Sequence, residues 1–133
     1  MSILRTALYC RLSKDDMKQG DSESIKTQVT MLTQYAKEHG FVVMNIYKDD
    51  GYSGLNFDRP DFNRMLDDIE DGKIDVVITK DLSRLGRDHL QVGHFTEIYF
   101  PMKRVRYIAI NDMVDTANKN NDIGALKNVM NEF

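Results

Sequence analysis

Hydrophobic and polar positions along the chain switch between a strand-like and a helix-like period, and the switches predict an alternating order of elements. Ile3 to Tyr9 is a short apolar run suited to a first strand. Lys14 to Ser24 is polar, with Gly20 and several Asp and Ser residues, and reads as a loop in which Ser22 or Ser24 can cap the helix that follows. In that helix Ile25, Val29, Leu32, Tyr35 and Ala36 recur at helical spacing, and Gly40 ends it. Phe41 to Tyr47 is a second strand, followed by a flexible connection over Lys48 to Asp58. Pro60 opens a second helix, whose apolar face is Phe62, Met65, Leu66 and Ile69 and which Gly72 closes.

The second half repeats the alternation. Ile74 to Thr79 is a β-branched, nearly continuous apolar run, as expected of a strand covered on both faces. Lys80 to Arg87 is a charged turn leading into a helix from about Asp88 to Phe100, which Pro101 helps to end. Val105 to Ile110 is a fourth strand, and Met113 to Thr116 has the pattern of a short edge strand. Asp122 can cap a last helix over 122–133, with Ile123, Leu126, Val129 and Met130 as its stripe, and the pattern is still running at Phe133. The order βαβαβαβ predicts a single α/β domain over 1–133, with a mainly parallel twisted sheet of four to five strands and helices on both faces. Sites in such sheets lie beyond the carboxyl ends of the strands. Arg11 and Ser13, Arg59, and Arg84 with Arg87 should therefore share one edge.

Composition narrows the classes. With 41% hydrophobic and 29% charged residues the chain is an ordinary globular sequence. Its one cysteine, Cys10, can form no intrachain disulfide and suits a reducing cytoplasm. No apolar run approaches the roughly 20 residues of a membrane span, and the start lacks the apolar core of a signal peptide. Three histidines and a lone cysteine offer no metal-ligand set, so no metal is expected. The net charge of −3 argues mildly against nucleic acid, but it is unevenly spread. Asp49 to Asp75 holds nine acidic and three basic residues, whereas Thr79 to Arg106 holds six basic and three acidic ones.

The candidate chemistry lies in the predicted edge loops. In extended chain Tyr9, Arg11 and Ser13 point the same way, setting a hydroxyl beside a guanidinium. In Lys80-Asp81-Leu82-Ser83-Arg84-Leu85-Gly86-Arg87, the spacing of Arg84 and Arg87 predicts one helix face, and Leu82 and Leu85 can pack inward. Guanidinium forks at a helix start match phosphate oxygens. Taken singly, Arg11-x-Ser13 is more often an ordinary turn serine beside a surface arginine, and the basic segment is equally a solvated turn. Neither a G-x-S-x-G elbow nor a G-x-x-x-x-G-K-[ST] loop is present, which argues against Ser–His–Asp acyl transfer and P-loop hydrolysis. A hydroxyl attacking a phosphodiester among arginines is chemically sound.

Taken together, Tyr9-x-Arg11-x-Ser13, Ser24-Ile25-x-x-Gln28, Gly51-Tyr52-Ser53-Gly54…Asp58-Arg59-Pro60 and Ser83-Arg84-Leu85-Gly86-Arg87 resemble the catalytic domain of the serine recombinases, the resolvase–invertase family. The resemblance covers nearly the whole chain. The longer loop before Ser24 and the Ser-Gly…Arg-Pro form look most like the large serine recombinases and transposases of mobile elements. It implies a resolvase-like fold and a site-specific DNA recombinase acting in integration, excision or transposition. Ser13 would attack the DNA phosphate to give a 5′-phosphoserine link. Arg11, Arg84 and Arg87 would hold that phosphate, Arg59 would complete the pocket, and Gln28 would support it. Ser83 stands where small resolvases carry an aspartate, and Asp81 is a nearby candidate proton donor, though a turn-forming or capping acid is its better reading. Tyr9 looks structural.

The resemblance further implies that neither cofactor nor ATP is needed, because the bond energy is kept in the protein–DNA link. The partner would be DNA, through a full-length parent that is cytoplasmic, forms dimers and tetramers, and extends beyond a truncated long helix. The isolated domain would be a monomer or weak dimer. The alternative is a non-catalytic receiver-like or flavodoxin-like phosphate-binding module, suggested by Asp49-Asp50 after a strand and Lys80 further on.

Overall fold

A computed structural model describes residues 3–13 and 24–117. The loop predicted after Lys14, Ser22 as a cap and the helix over 122–133 fall outside these residues. The described chain runs β1 (Arg5–Leu12), α1 (Ile25–Glu38), β2 (Val42–Asp50), α2 (Pro60–Glu70), β3 (Val76–Thr79) and α3 (Leu82–Leu85). It continues through α4 (His89–Gly93), a π-helical stretch (His94–Tyr99), α5 (Phe100–Met102), β4 (Arg106–Ala109) and β5 (Val114–Asp115). The strands form one sheet in the order β2-β1-β3-β4-β5, parallel except for the last pair. β1, first in the chain, is thus an interior strand, and its carboxyl end adjoins the ends of both β2 and β3.

Both faces of the sheet are covered. Leu8 and Cys10 of β1 pack with Leu32 and Ala36 of α1. Ala7 and Tyr9, alternating with them, pack with Phe62, Met65 and Ile69 of α2 and with Phe100 and Tyr107. This period-2 division sends Tyr9 to one layer and Cys10 to the other. Burial pushes the Cys10 thiol up to about 12, against the pull of Lys48 and Arg84, so it stays protonated.

The local signals act as expected at several ends. The Ser24 hydroxyl accepts from Thr27 N–H at 3.1 Å and caps α1. Gly40, at φ 75°, follows the end of α1 in the left-handed region. Pro60 is the first residue of α2. Three boundaries differ from the sequence reading. β1 and β2 each continue three residues past the tyrosine where the apolar runs stop. Cys10, Arg11 and Leu12 pair with Lys48, Asp49 and Asp50, and Gly51 N–H donates to Leu12 O at 2.6 Å. Arg11 and Asp49 can stay in the strands here because their charged heads find partners on other elements.

The third difference concerns the arginine segment. Arg84 and Arg87 do not share a helix face, because α3 ends at Leu85 and Gly86 is extended at φ 175°. Arg87 lies beyond it, before Asp88 caps α4. The backbone then stays helical from His89 to Met102, past the end expected at Phe100, with the π turns just before Pro101. A proline ring in a regular α-turn presses on the carbonyl four residues back, and the wider turn relieves that contact.

Candidate active site

The end of β1 and the loops after β2 and β3 converge at the carboxyl edge. At the end of β1, Arg11 is fully buried and Ser13 is 5% exposed. Arg11 is held by its backbone as well as its side chain. The Gln28 amide, from α1, accepts from Arg11 N–H at 3.2 Å and donates to Arg11 O at 3.0 Å, imitating a strand neighbour. Gln28 is buried, and both of these amide bonds go to the Arg11 backbone.

The Arg11 guanidinium spans the other two loops. Nε donates to Arg84 O at 3.2 Å, Nη1 to Tyr52 O at 3.1 Å, and Nη2 to Ser83 O. Arg84, also fully buried, returns a bond from Nη1 to Arg11 O at 3.2 Å. The loop carrying Tyr52 closes tightly. A Cβ on Gly54 would lie 2.6 Å from Arg11 Nη2 and 2.9 Å from Arg87 Cγ. Gly54 O also accepts from Arg87 N–H at 2.7 Å. Only a residue without a side chain lets this loop lie against both arginines.

Arg59 lies beneath the same turn, fully buried. It donates to Asn56 O at 3.1 Å, Tyr9 Oη at 3.0 Å, Arg84 O at 3.3 Å and Leu85 O at 2.6 Å. Its guanidinium carbon stands 4.3 Å from the Phe57 ring centre and 4.8 Å from that of Phe62. Burial pulls its pKa below the usual arginine range, while Tyr9 and Asp49 pull it up.

The Tyr9 hydroxyl donates to Asp49 Oδ2 at 2.8 Å. Burial, against the pull of Arg59, raises the Tyr9 phenol well above its ordinary range and keeps that proton in place. Asp49 also accepts Asp61 N–H at 3.0 Å and Phe62 N–H at 2.9 Å, tying off the start of α2. The sequence reading placed Asp49 in a flexible connection and missed this role. The signal was an acid one strand-end away from Tyr9, with a Pro-led helix following.

The remaining candidates surround α3. Asp81 is its N-cap: Oδ1 accepts Arg84 N–H at 3.1 Å and the Ser83 hydroxyl at 2.6 Å. Lys80 Nζ lies 3.9 Å from Asp81 Oδ2. Asp81, Ser83, Arg87, Asn111 and Asp112 line a cavity of about 260 Å³. Arg87 is half-buried there, unlike the fully enclosed Arg84. Among the described residues no three His, Cys, Asp or Glu side chains gather into a metal-ligand set, and no helix is long and apolar enough to cross a membrane. A serine just past the end of a strand whose Arg11 is bound to Arg84 is chemically suited to receive a phosphate.

The model of the resolvase N-terminal domain family matches residues 6–133. The chain belongs to the resolvase family of serine recombinases. Among solved structures, this recombinase domain is 30% identical to the N-terminal catalytic domain of TP901-1 integrase, with a TM-score of 0.83 over 97% of this chain and 95% of that one. A resolvase family site-specific recombinase from Streptococcus pneumoniae is 27% identical, with a TM-score of 0.76, covering 97% of this chain and 87% of that one. The C-terminal catalytic domain of ISC1926 TnpA, an IS607-like serine recombinase, is 28% identical, with a TM-score of 0.68, covering 80% and 70%. The recombinase fold accounts for the mostly parallel sheet and for the edge on which Arg11, Ser13 and Arg84 meet. The chain is the catalytic domain of a serine site-specific recombinase, which displaces the receiver-like alternative.

Proposed function

We propose that Ser13 is the nucleophile of strand cleavage. Its Oγ forms a bond to the scissile phosphorus as the bond from phosphorus to the 3′ oxygen breaks. The serine proton passes to solvent or a basic group, and the departing 3′ oxygen takes up a proton as a hydroxyl. The product is a 5′-phosphoserine link, and attack by a 3′ hydroxyl reverses the step to rejoin DNA. One phosphodiester replaces another, so the exchange needs no external energy source.

The observation that carries this reading is the mutual grip of Arg11 and Arg84 around the end of the strand that delivers Ser13. Arg11, Arg84 and Arg87 hold the phosphate and oppose the charge that grows in the transition state. Arg59 supports the turn from below through its carbonyls, and Gln28 fixes the strand. Ser83 shapes the turn through its carbonyl and hydroxyl. Asp81, engaged as the N-cap, serves the turn's geometry more directly than it serves proton transfer. The domain acts within a longer recombinase that forms dimers and tetramers on DNA and moves a mobile element. By itself it is monomeric or weakly dimeric and binds DNA poorly, since most sequence-independent phosphate contacts would belong to other parts.

The test is Ser13→Ala in the full recombinase, read as covalent protein–DNA adduct on a recombination site. Adduct should vanish while site binding and folding persist, since losing one hydroxyl changes stability little. Adduct at parental level would overturn the assignment.

A further inference from the structure

The N-terminus of α3 has an amide that its own cap cannot serve. An N-cap side chain reaches the second or third amide of a helix, and Asp81 duly takes that of Arg84. The first amide, that of Leu82, needs an acceptor from elsewhere. Asp112, thirty residues on, supplies it: Oδ2 lies 2.6 Å from Leu82 N. Its neighbour Asn111 donates its N–H to Lys80 O at 2.8 Å, so the segment after β4 is stitched to the loop after β3 by main chain and side chain together.

Two features show that this contact is held against resistance. Met113, next in the chain, sits at φ 56°, a region side-chain-bearing residues rarely adopt, while its own side chain is 84% exposed. The Asp112 carboxylate is half-buried near a second carboxylate, that of Asp81, and burial and Asp81 raise its pKa while the Leu82 amide lowers it. A surface turn with no task would relax both.

We infer that Asp112 is a positioning residue for strand cleavage: its carboxylate fixes the first amide of the arginine turn and so sets where Arg84 stands against Arg11. The inference rests on the reading of Ser13 and the arginines given above. The rival role is proton donation, because Asp112 shares the cavity with Arg87.

Asp112→Asn separates the two. An amide oxygen can still accept the Leu82 N–H, but the side chain cannot deliver a proton. In the full recombinase, single-turnover cleavage by Asp112→Asn should stay within about threefold of the parent with an unchanged pH profile. Asp112→Ala should cleave about 10-fold or more slowly at unchanged site affinity. Amide exchange on the 133-residue chain should show Leu82 and Arg84 losing protection in the alanine variant while β1 and β3 keep theirs. If the alanine variant does not fold, the asparagine variant alone decides. Loss of cleavage in a folded Asp112→Asn, with an altered pH profile, would overturn positioning in favour of proton donation. Parental cleavage by Asp112→Ala would also overturn the proposal. Ser13→Ala in the same assay reports separately on the reading beneath it, since cleavage by that variant would condemn the nucleophile assignment whatever Asp112 does.

Discussion

Arg11 and Arg84 each donate to the other's backbone carbonyl, both at 3.2 Å. Two like charges are thereby brought together across the gap between β1 and α3 by the peptide groups they grip. Carbonyl oxygens carry the negative end of the peptide dipole, so each offsets part of the repulsion between the cations. The result is a concentration of positive charge at the strand edge, the feature on which the proposed phosphate site rests.

The geometry depends on the planar fork. Arg84→Lys leaves one compact ammonium that cannot grip Arg11 O and a phosphate from separate nitrogens. Adduct formation in the full recombinase should fall about 10²-fold or more, with site affinity little changed. Cleavage within about threefold of the parent would assign Arg84 to structure alone.

Gly54 provides a subtler perturbation. Gly54→Ala inserts a methyl where Arg11 Nη2 and Arg87 Cγ already stand, at 2.6 and 2.9 Å. Both side chains and the Tyr52 loop must shift. Misplacement on the scale of an ångström can cost about 10²-fold in rate. The chain should still fold, with an unchanged far-ultraviolet circular dichroism spectrum, while the full recombinase cleaves far more slowly. An unimpaired rate would show that the loop has room to retreat.

Acid stability offers a test away from the site. Arg5 binds Asp75 through Nε and Nη2 at 2.9 and 3.0 Å, joining the start of β1 to the approach to β3. The hydrogen bond from Arg5 holds the Asp75 carboxyl below the usual carboxylate range, although burial opposes it. Its stabilisation is therefore complete above about pH 4, where the unfolded chain is also ionised, and is lost as pH falls through the folded value. Urea titrations from pH 6 to 2.5 should show a shallower loss of stability in Asp75→Asn than in the parent. Parallel curves would mean that the pair is too exposed to matter.

The strands, helices and loop edge were legible because their signals are local. Apolar runs marked β1 and β3, Ser24 and Pro60 marked helix starts, and the arginines fell in strand-end loops. What escaped notice depends on distant partners. Asp49 reads as loop in Asp49-Asp50-Gly51, since nothing nearby reveals that Tyr9 and the α2 amides will take up its carboxylate. The helix break at Gly86 was hidden because Leu82 and Leu85 keep helical spacing, and the tight fit of that glycine, where a Cβ would lie 2.6 Å from the Phe57 ring, involves a residue far away in the chain. Asp112 likewise declares itself only once β4 lies beside β3.

The placement of β1 inside the sheet, between β2 and β3, has a consequence in time. During synthesis Ser13 leaves the ribosome long before Arg84, and 73 positions separate the two arginines that must clasp. Until β3 has docked on β1 and carried α3 into place, Arg11 lacks the Arg84 carbonyl that it grips, and the edge is incomplete. On the proposed reading of Ser13, the hydroxyl is thus made early and armed late.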